Sequence, residues 1–165
     1  MDAFLRSLGK RVQESTKAYI CGGATAVLYG FRGSTLDVDV VFRPDSDQIL
    51  REIPALKNEL SINVELASPA DFVPVSGDWE SRSTFIDRFD RLSVYHFDLY
   101  AQALSKIERG HQQDLADVKA LVDRGLIEKK TLREYFESVR TQLHRYPSID
   151  PESLERAVEG FVNGD

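Results

Sequence analysis

The segment that decides the fold is YICGGATAVLYGFRGSTLDVDVVF, residues 19–42. It opens with a short apolar run that stops at Gly22 and Gly23, and it closes with apolar residues that alternate with Asp37 and Asp39. This order predicts a buried strand, a glycine turn, a helix and a second strand. Aspartate is depleted in strands and its charge is costly to bury, so a pair of aspartates on one strand requires a physical reason.

Strand geometry indicates what the two aspartates have in common. Side chains two positions apart point to the same face of a strand, ~6.6 Å apart along the backbone. Over residues 35–42, Asp37 and Asp39 therefore project together, while Leu36, Val38 and Val40 are predicted to face the core. Two carboxylates this close repel each other unless a positive charge lies between them, and two Mg²⁺ ions about 4 Å apart would remove the repulsion. The pattern predicts a metal site, and the alternative is a solvated strand face.

A third carboxylate would complete such a site. The stretch SINVELA, residues 61–67, predicts another strand whose aliphatic residues, Leu66 among them, face the core. Glu65 then lies on the opposite face, which is the parity that a metal ligand needs. Asp71, in the loop just beyond, is the alternative third acid.

The glycines are compatible with the same chemistry. Gly22 and Gly23 lie between a strand and the predicted start of a helix, where backbone N–H groups attract phosphate and the absence of a Cβ lets a triphosphate approach. Arg32 and Thr35 come just before the strand with the aspartates, where they would contact phosphate or brace the loop. The alternative for the glycine pair is a tight connection with no further function.

The rest of the chain predicts an α+β fold. Outside the central segment, the patterns predict an amphipathic helix over 3–16, a helix over 45–60 that Pro54 bends or interrupts, and a fourth strand over 91–97. From Asp98 onward the sequence pattern predicts helices, with glycines at helix ends and Asp150-Pro151 as a helix start. The predicted organisation is a small mixed β-sheet core with flanking helices over 1–97, followed by a helical C-terminal region over 98–165 that packs on it.

Composition limits the class of protein. The 165 residues carry a net charge of −6, so a nucleic-acid contact would need a local basic patch, and no DNA partner is expected. No apolar stretch approaches the ~20 residues of a membrane span, so no membrane association is expected. The single cysteine, Cys21, is interpreted as inert core in a reducing interior, and the N-terminus does not resemble a secretory signal. We expect a cytoplasmic protein.

The central constellation resembles the nucleotidyltransferase fold of the DNA polymerase β superfamily. The residues that carry the likeness run from about 19 to 65, with the pattern GG-x-A-x-x-x-x-G followed by T-x-D-x-D. The chain is especially similar to small bacterial nucleotidyltransferases akin to the toxins of abortive-infection-type toxin–antitoxin pairs. The resemblance implies that Gly22 and Gly23 contact the phosphates of an NTP such as ATP. It also implies that Asp37, Asp39 and Glu65 hold Mg²⁺, or Mn²⁺ in its place.

The resemblance extends into the helical half, to about residue 124. There ALSKIERGHQQDLADVKALV is similar to a K-x-x-R…D-x-x-D stretch of the toxin-like proteins. By this likeness Lys106 contacts phosphate with a catalytic role, Arg109 assists it, and Asp114 and Asp117 support the site. From the residues alone, Lys106 and Arg109 are also compatible with a solvated basic patch. The two aspartates are compatible with acidic residues that cap the first turn of a helix.

The chain departs from the pattern of the superfamily at two points. Gly22-Gly23 stands where many members have Gly-Ser, whose hydroxyl contacts a phosphate. The arginine of the pattern usually lies two residues before the Thr or Ser, where this chain has Gly33, with Arg32 one residue earlier.

The implied reaction is attack by an acceptor hydroxyl on the α-phosphate of the NTP, with Asp39 or Glu65 as proton acceptor. The acceptor is an RNA such as a tRNA 3′ end or a protein hydroxyl, and an antitoxin partner is possible. The alternatives are an enzyme that modifies a small, antibiotic-type molecule, and a nucleotide-binding or interaction module without turnover.

Arginines and aromatic residues are interleaved between the third strand and the helical half. This mixture, which includes Arg82, Arg88, Arg91, Trp79 and Phe85, is typical either of stacking on RNA ends or of aromatic packing in the interior. The three histidines show no metal-ligand spacing, so zinc is not expected.

Overall fold

The computed structural model describes residues 1–164 and has a five-stranded mixed sheet in the order β3-β2-β1-β5-β4. The strands are β1 Thr16–Cys21, β2 Asp37–Arg43, β3 Asn63–Glu65, β4 Thr84–Phe89 and β5 Leu92–His96. The helices are α1 Asp2–Arg11, α2 Gly22–Leu28, α3 Asp47–Leu60, α4 Trp79–Arg82, α5 Leu99–Arg109, α6 Gln112–Asp123, α7 Lys129–Val139 and α8 Pro151–Asn163. Short 3₁₀ turns occupy Pro69–Asp71 and Arg140–Arg145. The predicted α+β class is confirmed.

Strand β1 lies at the centre of the sheet, antiparallel to β2 and parallel to β5. Strand β2 pairs in parallel with β3, which forms one edge, and β5 pairs antiparallel with β4, which forms the other. Helices α1 and α3 pack against each other, and α1 also contacts β4 and β5. The glycine turn joins β1 directly to α2, so the start of that helix lies beside the strand that carries the aspartates.

The hydrophobic core of this unit lies between one sheet face and helices α1 and α3. The helices contribute residues such as Leu8 and Leu56, and the strands contribute Ile20, Val40 and Val94, all fully buried. On α1 the apolar residues recur at helical spacing, so one stripe enters the core while the charged residues stay outside. Helix α3 continues through Pro54, which is exposed. It buries Ile49, Ile53 and Leu56 on its opposite side.

Three details of the sequence-based prediction are wrong. Leu36 is 90% exposed, because β2 begins only at Asp37 and the pleat that would turn Leu36 inward does not extend that far. Leu66 is 53% exposed, because β3 ends at Glu65. The first helix ends at Arg11 rather than near residue 16, since Val12 adopts extended backbone and still buries its side chain.

Strand β4 is absent from the sequence-based prediction. Its pairing with β5 contains an irregularity between Phe85 and Asp87, and this bulge breaks the period-two pattern by which strands are found. Asp90, with φ of 54°, makes the tight reversal that joins the two strands. Aspartate tolerates this left-handed conformation better than most residues, so the reversal leaves little signal in the sequence.

Close contacts group the chain into two compact units, Met1–Ser68 with Ser83–Phe97, and Pro69–Arg82 with Asp98 onward. In the second unit, Arg82 forms an ion pair with the buried Asp98 at 2.9 Å. Its guanidinium also lies over the rings of Tyr100 and Tyr135, 5.4 and 5.2 Å from their centroids. These contacts hold the segment 69–82 on the helices that follow. Whether 1–97 and 98–165 are separate domains stays a prediction.

Among residues 1–164 no helix is both long enough and apolar enough to cross a membrane.

His96 is a buried polar residue of the sheet unit. Its Nδ1 lies 3.3 Å from Thr25 Oγ1, and the Thr25 hydroxyl donates to the Ile20 carbonyl oxygen. Since that hydroxyl proton is already used, the hydroxyl oxygen accepts from Nδ1–H. The ring stacks on Tyr29 with centroids 4.1 Å apart. Burial lowers the pKa of His96 from 6.5 to about 4.

We expect this histidine to make the protein less stable in acid. The unfolded chain binds a proton to His96 below about pH 6.5, whereas the folded chain resists it down to about pH 4. Stability is therefore full above pH 6.5 and falls by about 3 kcal/mol as the pH drops to 4. Urea unfolding across this range measures the slope for wild type, His96→Gln and the exposed-residue control His144→Gln. The slope should flatten only in His96→Gln, and an unchanged slope there contradicts the assignment.

Candidate functional site

Strand β2 separates apolar and acidic side chains by strict alternation. Val38, Val40 and Phe42 are buried, whereas Asp37 and Asp39 are half-buried on the opposite face. The two aspartates therefore project together, as the spacing predicts.

Strand β3 places the third acid beside them. It pairs with β2 in parallel register, with Asp39 opposite Glu65 and Asp37 opposite Asn63. Residues opposite each other in a ladder point to the same face, so all three carboxylates lie on one face of two adjacent strands. Asp71, the alternative third acid, lies in a 3₁₀ turn of the other unit.

Asn63 is a member of this group that sequence reasoning missed. Its Nδ2 donates to Asp37 Oδ1 at 2.5 Å and to Glu65 Oε1 at 3.3 Å. A neutral amide with two N–H groups can thus connect two carboxylates that would otherwise repel each other. The signal in the sequence was its parity with Glu65, two residues along the same strand.

The glycine turn is pressed against the acidic strand and the loop before it. Gly22 has φ of +60°, and a Cβ at this position would overlap the Asp39 carboxylate. A Cβ on Gly23 would lie 2.5 Å from Thr35 Oγ1 and 2.8 Å from an Arg32 guanidinium nitrogen. Gly22 is therefore required by its positive φ, a side chain at Gly23 would displace Thr35 and Arg32, and the turn brings Arg32, Thr35 and Asp39 together.

Thr35 also braces the first aspartate. Its hydroxyl donates to the backbone carbonyl oxygen of Asp37 at 3.0 Å. The loop before β2 is thereby attached to the strand at the residue where the acidic face begins. A contact of Arg32 or Thr35 with phosphate stays a prediction.

The oxygen atoms of this face suit a hard divalent cation in chemical type. Among residues 1–164, no three His, Cys, Asp or Glu side chains stand close enough together to hold a metal ion by themselves. Mg²⁺, however, is commonly bound through one or two carboxylates together with substrate phosphates. Asp37 and Asp39 beside a glycine cradle fit that mode of binding, in which the substrate completes the coordination.

The helical unit contains a separate charged cluster, here called the Lys106 cluster. It consists of Lys106, Asp114, Asp117 and Arg109. The Lys106 ammonium donates to Asp114 at 3.0 Å and to Asp117 at 2.7 Å, and Arg109 reaches Asp114 at 2.9 Å. Lys106 is 4% exposed and both aspartates are buried. The cluster has a structural role in joining α5 to α6, and its contact with phosphate stays a prediction.

The arginines near the aromatic residues have partners within their own units. Arg88 donates to the Asp90 carbonyl oxygen and Arg91 to that of Gln13. Arg82 is held by Asp98 and two tyrosine rings, whereas Phe85 is 56% exposed. Interior packing of the aromatic residues is therefore wrong for Phe85, and the stacking of RNA on this part of the chain stays a prediction.

Comparison with known families gives one match. The model of a family described as "Nucleotidyltransferase of unknown function (DUF6036)" matches residues 1–150. No curated protein and no solved structure matches the chain.

We expect Gly22→Ala to destabilise the fold and disturb the acidic face. The substitution places a Cβ on the Asp39 carboxylate and forces alanine to a positive φ, which together cost about 1–3 kcal/mol. Gly33→Ala is the matched control, because nothing lies within 4 Å of its Cβ. Urea denaturation of the two variants measures the difference, and equal stability would contradict the close approach.

We expect Lys106→Ala to lower the free energy of unfolding by about 3–5 kcal/mol, because it removes the buried ammonium that pairs with both aspartates and leaves Asp114 with Arg109. Lys119→Ala, on the same helix pair, removes an exposed ion pair to Asp123 and should change stability by less than about 1 kcal/mol. Chemical denaturation distinguishes them. A small loss in Lys106→Ala would show that the cluster is solvated.

Proposed function

The chain belongs to the DUF6036 family of nucleotidyltransferases, and from this premise we propose that it transfers a nucleoside monophosphate from an NTP to an acceptor hydroxyl with the help of Mg²⁺. The observation that carries the proposal is the shared face of β2 and β3. It presents Asp37, Asp39 and Glu65 next to a glycine turn that is packed against Asp39 and Arg32.

The proposed reaction is a substitution at the α-phosphorus. The acceptor oxygen forms a bond to that phosphorus, the bond to the β-phosphate oxygen breaks, and pyrophosphate leaves. In this proposal the acceptor loses its proton to the carboxylate of Asp39 or Glu65, which lie opposite each other in the ladder. Bound Mg²⁺ would supply charge neutralisation and make the hydroxyl more acidic.

The residues of the chain have separate tasks in this proposal. Asp37 and Asp39 supply the carboxylate oxygens for the cation, and the substrate phosphates complete its coordination. Glu65 would act as a third ligand only after moving closer to them than it lies in this structure. The start of α2 at Gly22 and Gly23 is the part of the chain that contacts the triphosphate in this proposal. Arg32, whose guanidinium lies against the turn, balances phosphate charge.

The acceptor class follows from the likeness to toxin-type relatives. We propose an RNA 3′ end such as that of tRNA, or a protein hydroxyl, in a toxin–antitoxin or defence setting. A small-molecule acceptor is the second candidate. Such a molecule needs only a hydroxyl that reaches the same carboxylates. A binding module without turnover is disfavoured, because three acids on one face repel each other and serve no evident purpose without a cation.

The test is transfer of label from NTP to product. We expect the protein, given each α-labelled NTP, Mg²⁺ or Mn²⁺ and total tRNA or cell extract, to yield a labelled RNA or protein. Asp37→Asn and Asp39→Asn should each reduce labelling by at least about 100-fold, because each variant loses a carboxylate that holds the cation.

The same assay provides the control and the outcomes that would contradict the proposal. Asp45→Asn, which removes a strongly exposed acid two residues after β2, should leave labelling unchanged. Labelling that survives in Asp37→Asn and Asp39→Asn overturns the proposed site. NTP binding, seen as a raised melting temperature, without any labelled product would favour the binding module.

A further inference from the structure

A groove of about 430 Å³ runs along the outer side of the sheet edge, between α3 and β3. Its lining is mainly apolar and includes Leu50, Ile53 and Pro54 from the helix and Val64 and Leu66 from the strand segment. Leu50 is 44% exposed and Leu66 53% exposed. Two large aliphatic side chains therefore face solvent at one place, where an occupant would gain hydrophobic contact.

Lys57 lines the same groove without an acidic partner. Its ammonium donates to the Val64 carbonyl oxygen at 3.2 Å, and no carboxylate among residues 1–164 forms an ion pair with it. The helix positions one turn away are Ile53, Pro54, Leu60 and Ser61, none of which is acidic. An ammonium on an apolar wall with one neutral acceptor retains the capacity to pair with an anion.

A second cation lies on the same helix but does not line the groove. Arg51 precedes the lining residues Pro54 and Asn58 by three and seven positions, which places it on their side of α3. Asp47, one turn before it, forms no ion pair with it within the described part of the chain. The chain as a whole has a net charge of −6, whereas the only charged residue among residues 1–164 that lines the groove is Lys57.

We propose that this groove binds an extended segment of a partner protein that carries aliphatic side chains at alternate positions and a carboxylate between or beside them. The aliphatic side chains would cover Leu50 and Leu66, and the carboxylate would pair with Lys57. A peptide is favoured because β3 is an edge strand, and an edge offers backbone hydrogen bonds to a chain laid beside it. The carboxylate would also draw Lys57 from the Val64 carbonyl and so open that edge.

The test is selection of peptides on the full chain from a displayed random library, followed by fluorescence anisotropy with a synthetic copy of the enriched sequence. We expect enriched peptides to contain alternating aliphatic residues and an Asp or Glu. Leu66→Asp and Lys57→Glu should each weaken binding by about tenfold or more. Lys57→Gln should also weaken it, because the amide keeps a donor for Val64 but loses the charge.

Matched controls separate the groove from general surface effects. Leu115→Asp replaces an exposed leucine of α6, and Lys130→Glu reverses an exposed lysine of α7. Both should bind the peptide as wild type does, and all variants should keep the wild-type melting temperature within a few degrees.

Several outcomes overturn the proposal. These are failure to enrich any sequence, enrichment of basic peptides, and affinity unchanged by Leu66→Asp or Lys57→Gln. Sedimentation velocity is the last check. If the chain forms a dimer that Leu66→Asp dissociates, the occupant of the groove is a second copy of the chain and not a partner peptide. None of these measurements requires nucleotidyl transfer, so their failure leaves the proposed activity intact.

Discussion

The parallel pairing of β2 with β3 is the constraint on which the candidate site depends. Val38, Val40 and Val64 must enter the core, and a slip of the register by one residue would turn one strand's apolar side chains to the wrong face. Burial of these valines therefore fixes the position of Glu65 opposite Asp39. The spacing of the charges is set by hydrophobic packing on the other side of the same strands.

The acidic face is stabilised by groups that are themselves uncharged. Asn63 connects two of the carboxylates, and Gly22 provides the space that the third occupies. This arrangement lessens the repulsion between Asp37 and Glu65 without placing a second charge between them. By contrast, the acids of the Lys106 cluster are satisfied by a buried lysine and an arginine, which is the arrangement expected where the acids serve stability.

Much of this could be predicted from the sequence where a local rule operates. The period-two alternation around Asp37 and Asp39 is such a rule, and so is the requirement for glycine beside a crowded strand. Leu36 and Leu66 were predicted wrongly because the end of a strand depends on its partner's length, which no local pattern encodes. Strand β4 was missed because a bulge breaks its alternation.

The role of Asn63 could not be predicted for a related reason. Knowing that it faces Asp37 requires the direction and register of pairing between β2 and β3, which are properties of the assembled sheet. The same holds for the Lys106 cluster. Helical spacing places Asp114 and Asp117 on one face of α6, but only the packing of α5 against α6 brings them to a lysine of the preceding helix.

Strand β3 links the acidic face to the groove on the outer edge of the sheet. It has only three residues, and its neighbours are β2 on one side and α3 on the other. A short edge strand has few backbone hydrogen bonds, so its position depends heavily on the side chains that anchor it, here Val64 in the core and Lys57 at the carbonyl. Glu65 lies between Val64 and Leu66 and cannot move independently of them. A contact that moves α3 relative to this strand would therefore also change the distance between Glu65 and Asp39. The geometry of the acids thus depends on what packs against the edge of the sheet.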